Sequence, residues 1–134
     1  RSTLFPYTTL FRSARFLAKG DKVPAHLLAQ IMARAAGADG GTVGRDLLTA
    51  LPVGALDGTL SDRYVGTSAA GVVRAKTGSL DQTVSLTGTI VTADGRLLAY
   101  SVIIDGFPEG GMWSARTAMD NDLIVPLSGC GCQG

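Results

Sequence analysis

Val72-Val73-Arg74-Ala75-Lys76-Thr77-Gly78-Ser79-Leu80 is a short β-type run that ends in Lys-Thr-Gly followed by a small hydroxyl residue. Two apolar-rich segments follow, 84–91 and 97–104, separated by Ala93-Asp94-Gly95. An Asp-Gly pair tolerates the positive φ of a tight strand reversal, so it is a strong hairpin signal. Together the three segments predict an antiparallel three-stranded meander with Lys-Thr-Gly on its first strand.

The residue types then suggest chemistry. A strand lysine beside a cleft offers a fixed positive charge and three donors for a carboxylate. Thr77 adds a hydroxyl, which points with Lys76 only if the strand is locally irregular, because neighbours alternate between faces. Gly78 removes a side chain where another backbone must approach closely. The Ser79 N–H is then free to aim at an oxyanion. A tripeptide alone is equally compatible with a surface strand ending in a turn.

The neighbouring residues narrow the choice. Leu51-Pro52-Val53-Gly54-Ala55-Leu56-Asp57-Gly58-Thr59-Leu60 and Arg63 stand just upstream of Arg-Ala-Lys-Thr-Gly. In that order these elements resemble the C-terminal part of the D-alanyl-D-alanine carboxypeptidases of peptidase family S13, the class C low-molecular-weight penicillin-binding proteins. The resemblance covers roughly residues 17–132, and the Asp-Gly-Thr-Leu element makes it far more specific than Lys-Thr-Gly alone.

Length and composition set bounds. The 134 residues leave room for one small domain at most. With 46% hydrophobic and 17% charged residues the chain is globular and not disordered. A net charge of +1 gives no basic stripe for nucleic acid. No run reaches the ~18 apolar residues of a membrane span, and no signal peptide is recognisable. Residues 3–13, Thr-Leu-Phe-Pro-Tyr-Thr-Thr-Leu-Phe-Arg-Ser, resemble an in-frame translation of a sequencing adapter. Residues 1–13 are therefore expected to be non-native, and 14–134 to be part of a β-lactamase/transpeptidase-like domain.

Around the meander, Pro24 suits a helix start, and Leu27, Leu28, Ile31, Met32 and Ala35 recur at helical spacing up to a capping Gly37. His26, the only histidine, reads as a solvated or capping residue. A loop is expected at 38–42 and a short helix at 45–50, stopped by Pro52. Asp57 reads as a turn former before Gly58. A last helix is expected from Met112 to about Leu127, kinked or ended by Pro126, with Trp113 and Met119 as packing residues. Cys130 and Cys132, two residues apart with no histidine nearby, suit neither a mutual disulfide nor a metal site. The fold class is thus α/β (α+β): a meander flanked by N-terminal and C-terminal helices.

The resemblance implies a serine-type carboxypeptidase that acts on peptidoglycan stem peptides through an acyl-enzyme, binds β-lactams and works outside the cytoplasm without cofactor or metal. Lys76 is its expected catalytic residue, supporting charge and proton transfer. Lys76, Thr77, Gly78 and Ser79 are its expected substrate-binding residues, with the Ser79 N–H as half of an oxyanion hole. No serine here is followed three residues later by lysine, and no Ser-x-Asn occurs. The nucleophile is therefore expected outside this chain, and the fragment alone is expected to be inactive. A serine β-lactamase or esterase of the same fold, and a non-catalytic binding module, are the alternatives.

Overall fold

The structure, a computed structural model, describes residues 23–131. The adapter-like stretch 1–13, the lead-in that follows it and Cys132 lie outside the described residues. Helix α1 (Ala25–Ala36) begins after Pro24 and ends at Gly37, whose amide bonds back to Ala33 and Arg34. A 3-10 turn (Ala38–Gly40) leads into α2 (Gly41–Thr49). The meander follows, as β1 (Val73–Leu80), β2 (Thr83–Val91) and β3 (Leu97–Asp105), antiparallel in the order β1-β2-β3. The C-terminal helix runs through α3 (Met112–Ala118), a π-helical turn (Met119–Ile124) and α4 (Val125–Ser128).

Alternation along the strands separates two faces. Val73 and Ala75 of β1, Val84, Leu86 and Ile90 of β2 and Tyr100 of β3 are buried in one cluster with Leu60, Tyr64, Ala115, Met119 and Ile124. This face therefore packs against the C-terminal helix and the segment before β1. Each large aliphatic side chain fully buried there contributes about 1.5–3 kcal/mol. Thr87 and Thr89 alternate to the other face and are also buried, while α1 lies over β3 and β2. Gly88 sits between Ala75 on β1 and Tyr100 on β3. A Cβ there would come within 2.8 Å of the Ala75 Cβ, so the middle of the sheet requires glycine.

The hairpin between β2 and β3 is where Asp-Gly placed it, although only Gly95 takes positive φ, at 81°. Asp94 instead uses its side chain, accepting from the Thr92 hydroxyl. Three expectations need correction. The stretch 38–42 is not a loop, since α2 starts at Gly41. Its glycines let two helices touch: a Cβ on Gly44 would lie 2.5 Å from the Ala35 carbonyl oxygen of α1. Of the kink or stop expected at Pro126, the stop does not occur. Pro126 stands in the first turn of α4, directly after the π-helical turn, where a missing N–H costs least, and helical structure continues to Ser128. Trp113 is not a packing residue but 73% exposed. Met119 is buried as expected.

Leu60 joins the turn before β1 to the core and is fully buried. In the protein that carries this chain, Leu60→Ala is expected to cost about 2–5 kcal/mol. A lowered urea midpoint with unchanged slope is the readout, and a midpoint equal to wild type would refute this packing.

Candidate functional site

The turn before β1 is built from short polar contacts. The Val53 N–H donates to the Asp57 carboxylate at 2.6 Å, which makes Asp57 the turn former that the sequence suggested. Ala55 takes positive φ at 62° and Gly58 at 54°. A 3-10 turn (Gly58–Leu60) then presents Thr59 towards β1, where the Thr77 hydroxyl donates to the Thr59 hydroxyl at 3.1 Å.

The segment that enters this turn decides which part of β1 stays open. Gly54 N–H donates to the Val73 carbonyl at 2.9 Å, and Ala75 N–H to the Pro52 carbonyl at 3.0 Å. Segment 52–54 thus pairs with the outer side of the first half of β1. Backbone groups alternate along a strand, so residues 73, 75, 77 and 79 turn outward while 74, 76, 78 and 80 turn to β2. Beyond Ala75 no described segment pairs with the outer side. Among the described residues the Thr77 carbonyl and the Ser79 N–H consequently face an open edge.

The expected site residues line that edge from both faces. Lys76 is exposed, and its Nζ donates to the Thr77 carbonyl oxygen at 2.7 Å. The Thr77 and Ser79 side chains alternate to the face of the C-terminal helix, where Ser79 Oγ accepts from Arg116 Nη2 at 3.3 Å. The Lys76 and Thr77 side chains therefore keep strict alternation and meet only at the strand's rim. Gly78 pairs with Ser85, and the Ser85 hydroxyl is the first atom a Cβ at Gly78 would meet. The strand pair itself thus gives this glycine a reason, alongside any approach from outside. His26 is exposed in the first turn of α1. Among the described residues no group of three or more His, Cys, Asp or Glu side chains is placed to hold a metal.

Beside the edge a groove of about 550 Å³ runs between the 58–67 segment and the C-terminal helix, lined by Thr59, Arg63, Trp113, Arg116 and Asn121 among others. Its floor is a charged cluster. Arg63 Nε donates to Asp120 Oδ2 at 2.9 Å and Nη2 to Oδ1, a two-pronged pair. The Tyr64 hydroxyl donates to the same Oδ1 at 2.6 Å. Burial, and then this hydrogen bond to Asp120, push the Tyr64 hydroxyl's pKa well above the ordinary tyrosine value. Tyr100 is pushed the same way, chiefly by burial.

The sequence profile of the D-Ala-D-Ala carboxypeptidase 3 (S13) family matches residues 12–123. The chain belongs to this family. It is similar to carboxypeptidase DacB of Mycolicibacterium smegmatis, 41% identical over 92 residues, which are 66% of this chain and 19% of that protein. A carboxypeptidase of Mycobacterium tuberculosis is 36% identical over 120 residues, 87% of this chain and 25% of that protein. The fold is similar to penicillin binding protein 4 from Haemophilus influenzae in complex with a β-lactam, with a TM-score of 0.63 and 25% identity over 72% of this chain and 22% of that one. The S13 chain therefore spans a quarter or less of the length of these proteins.

Within the S13 chain, sequence reasoning missed two neighbours of the site. Arg116 is separated from Ser79 by 37 positions, and no local pattern links them. Thr59 was visible only as part of Asp-Gly-Thr-Leu. The Arg63–Tyr64–Asp120 cluster spans 57 positions and was equally hidden.

The two tyrosines give a pH dependence with a definite sign. Their pKa values are raised on folding, so the stability they contribute is complete below the ordinary value of 10.0 and is lost as pH rises past it. Alkaline titration followed by phenolate absorbance and circular dichroism is expected to show ionisation coinciding with unfolding. Tyr64→Phe should remove part of that alkaline loss; two tyrosines titrating normally in the folded protein would contradict the burial.

Proposed function

We propose that this chain forms one wall of the catalytic cleft of a serine-type D-Ala-D-Ala carboxypeptidase that trims peptidoglycan stem peptides outside the cytoplasm and is acylated by β-lactams. The observation that carries the proposal is the open end of β1, where the Ser79 N–H and the Thr77 carbonyl face outward beside the Lys76 ammonium. Membership of the S13 family and similarity to a penicillin-binding protein solved with a β-lactam support the substrate class.

An extended peptide can add to such an edge as a further strand, because its own amides complete the ladder. The Ser79 N–H would donate to the carbonyl oxygen that becomes negative as a serine attacks. Lys76 would place positive charge beside that centre and take part in proton transfer between nucleophile and leaving amine. Thr77 and Ser79 would hold the substrate's terminal carboxylate through their hydroxyls. The serine itself comes from a Ser-x-x-Lys element that this chain does not contain.

The test uses the full-length protein that carries these residues. Release of D-alanine from a peptide ending in D-Ala-D-Ala, and labelling by a fluorescent penicillin, are both expected. Lys76→Ala should lower the acylation rate by at least about 100-fold. The 134-residue chain alone should take no label. Rapid turnover of the β-lactam without peptide hydrolysis would instead identify a β-lactamase, and no labelling at all would sink the enzyme reading.

A further inference from the structure

Trp113 on α3 leaves its indole 73% exposed, although an aromatic side chain is among those whose burial stabilises a chain most. It does not stand alone. Thr117 and Asn121 follow at one-turn intervals on the same side of the helix. The three residues form a ridge between two clefts, the groove of about 550 Å³ beside the open edge and a second cleft of about 360 Å³. Both have the size of small-ligand clefts, roughly 300–1,000 Å³. The indole is thus reachable from either side.

Floor and ridge differ in how their polar groups are used. On the floor, Arg63, Tyr64 and Asp120 bond to one another. On the ridge, the Trp113 N–H, the Thr117 hydroxyl and the Asn121 amide have no hydrogen-bond partner among the described residues, and neither has the Asp62 carboxylate across the groove. An apolar protein element laid over the indole would leave those groups buried and unpaired, which is costly. A pyranose ring meets both demands. Its C–H face stacks on the indole, while its rim of hydroxyl and acetamido groups bonds to Asn121, Thr117 and Asp62. The groove is also continuous with the candidate catalytic edge, because Thr59 and Arg116 line it and bond to Thr77 and Ser79. A ring held on the ridge therefore lies alongside a peptide added to β1.

We propose that the ridge Trp113–Thr117–Asn121 is a carbohydrate subsite that takes an N-acetylated sugar ring of the glycan strand. The inference rests on the reading of the site given above and deepens it. The sugar strand becomes a second feature by which substrate is recognised, separate from the end of the peptide.

Full-length wild type, Trp113→Ala, Trp113→Phe and Asn121→Ala are compared in two binding measurements. One is retention on insoluble glycan stripped of its stem peptides, the other calorimetric titration with a soluble N-acetylglucosamine tetramer. Wild type is expected to bind both. Trp113→Ala should weaken binding about 10-fold, the scale of one lost aromatic contact. Trp113→Phe, which keeps a flat ring, should recover part of that loss, and Asn121→Ala should lose several-fold. Labelling by a fluorescent penicillin, which carries no sugar, should be equal in all four proteins. Should Trp113→Ala fail to fold, Asn121→Ala decides alone. A wild type that takes the label but binds neither glycan nor tetramer overturns the proposal and leaves the enzyme reading intact. So does sugar binding that both alanine variants keep unchanged. A lowered urea midpoint of Trp113→Ala with unchanged retention would mean that other parts of the protein cover the indole, and overturns it too. A wild type that takes no label overturns the enzyme reading, a failure that the sugar measurements keep apart from this one.

Discussion

The hydrogen bond from the Val53 amide to the Asp57 carboxylate, 2.6 Å long, is the contact on which the shape of the site depends. It closes a turn that Ala55 enters with positive φ and that the Ala55 amide seals by bonding to the Leu60 carbonyl at 2.9 Å. An L-residue in that conformation costs roughly 1–2 kcal/mol. Burial of Leu60 at the end of the turn offsets it, at about 1.5–3 kcal/mol. Segment 52–54 runs antiparallel to β1, so the chain that would have to lie along Thr77 and Ser79 is the one that precedes Pro52. Because the chain joins β1 only at Pro52, the outward groups of Thr77 and Ser79 stay uncovered by it. The turn then brings the chain back and sets Thr59 against Thr77, furnishing the edge's first polar neighbour.

A second constraint holds the helical wall in place. Asp120 accepts from Arg63 and from Tyr64, and Tyr64 itself sits at positive φ, 70°. Backbone conformations of this kind persist only where the surroundings over-determine them. Here the surroundings are the carboxylate on one side and Gly54 on the other, where a Cβ would lie 2.9 Å from the tyrosine ring. Asp120 lies in the π-helical turn that directly precedes α4 and its Pro126. Arg116 is four residues earlier on the same helix, hence on nearly the same face. The clamp that fixes Asp120 to the 58–67 segment therefore also aims Arg116 at Ser79. Position in this wall is inherited from a salt bridge outside the edge itself.

How far the sequence could be read follows from the range of the forces involved. The meander was legible because alternation and an Asp-Gly turn are local signals. Helix α1 was legible because its apolar positions recur at helical spacing, and Asp57 because turn-forming aspartates act on their own neighbours. The start of α2 was not. Glycines at 40, 41 and 44 look like a loop until Ala35 of α1 is known to lie against Gly44. Pro126 looked like a kink or a stop because the π-helical turn before it, which puts it in the first turn of α4, has no sequence signature. Trp113 looked like core because large aromatics usually are, yet it is largely exposed and lines the groove. Of the site, Lys76, Thr77, Gly78 and Ser79 were visible as a run, whereas Arg116 reaches them only through tertiary packing.

The open edge also explains why the site is flanked by charge. A bare strand edge is a template for pairing with any extended chain, and proteins commonly blunt it with lysines and charged side chains. Covering the whole of β1 would remove that hazard and the proposed binding surface together. The chain instead covers the first half with segment 52–54 and leaves the second half open between Lys76 and Arg116. An incoming neutral strand must bring its backbone between two cations whose charge it cannot satisfy. A strand that ends in a carboxylate meets the same cations as partners. Protection from unwanted pairing and acceptance of an anionic chain end would thus rest on one arrangement of charge, and the difference between them would be the chemistry of the last residue that arrives.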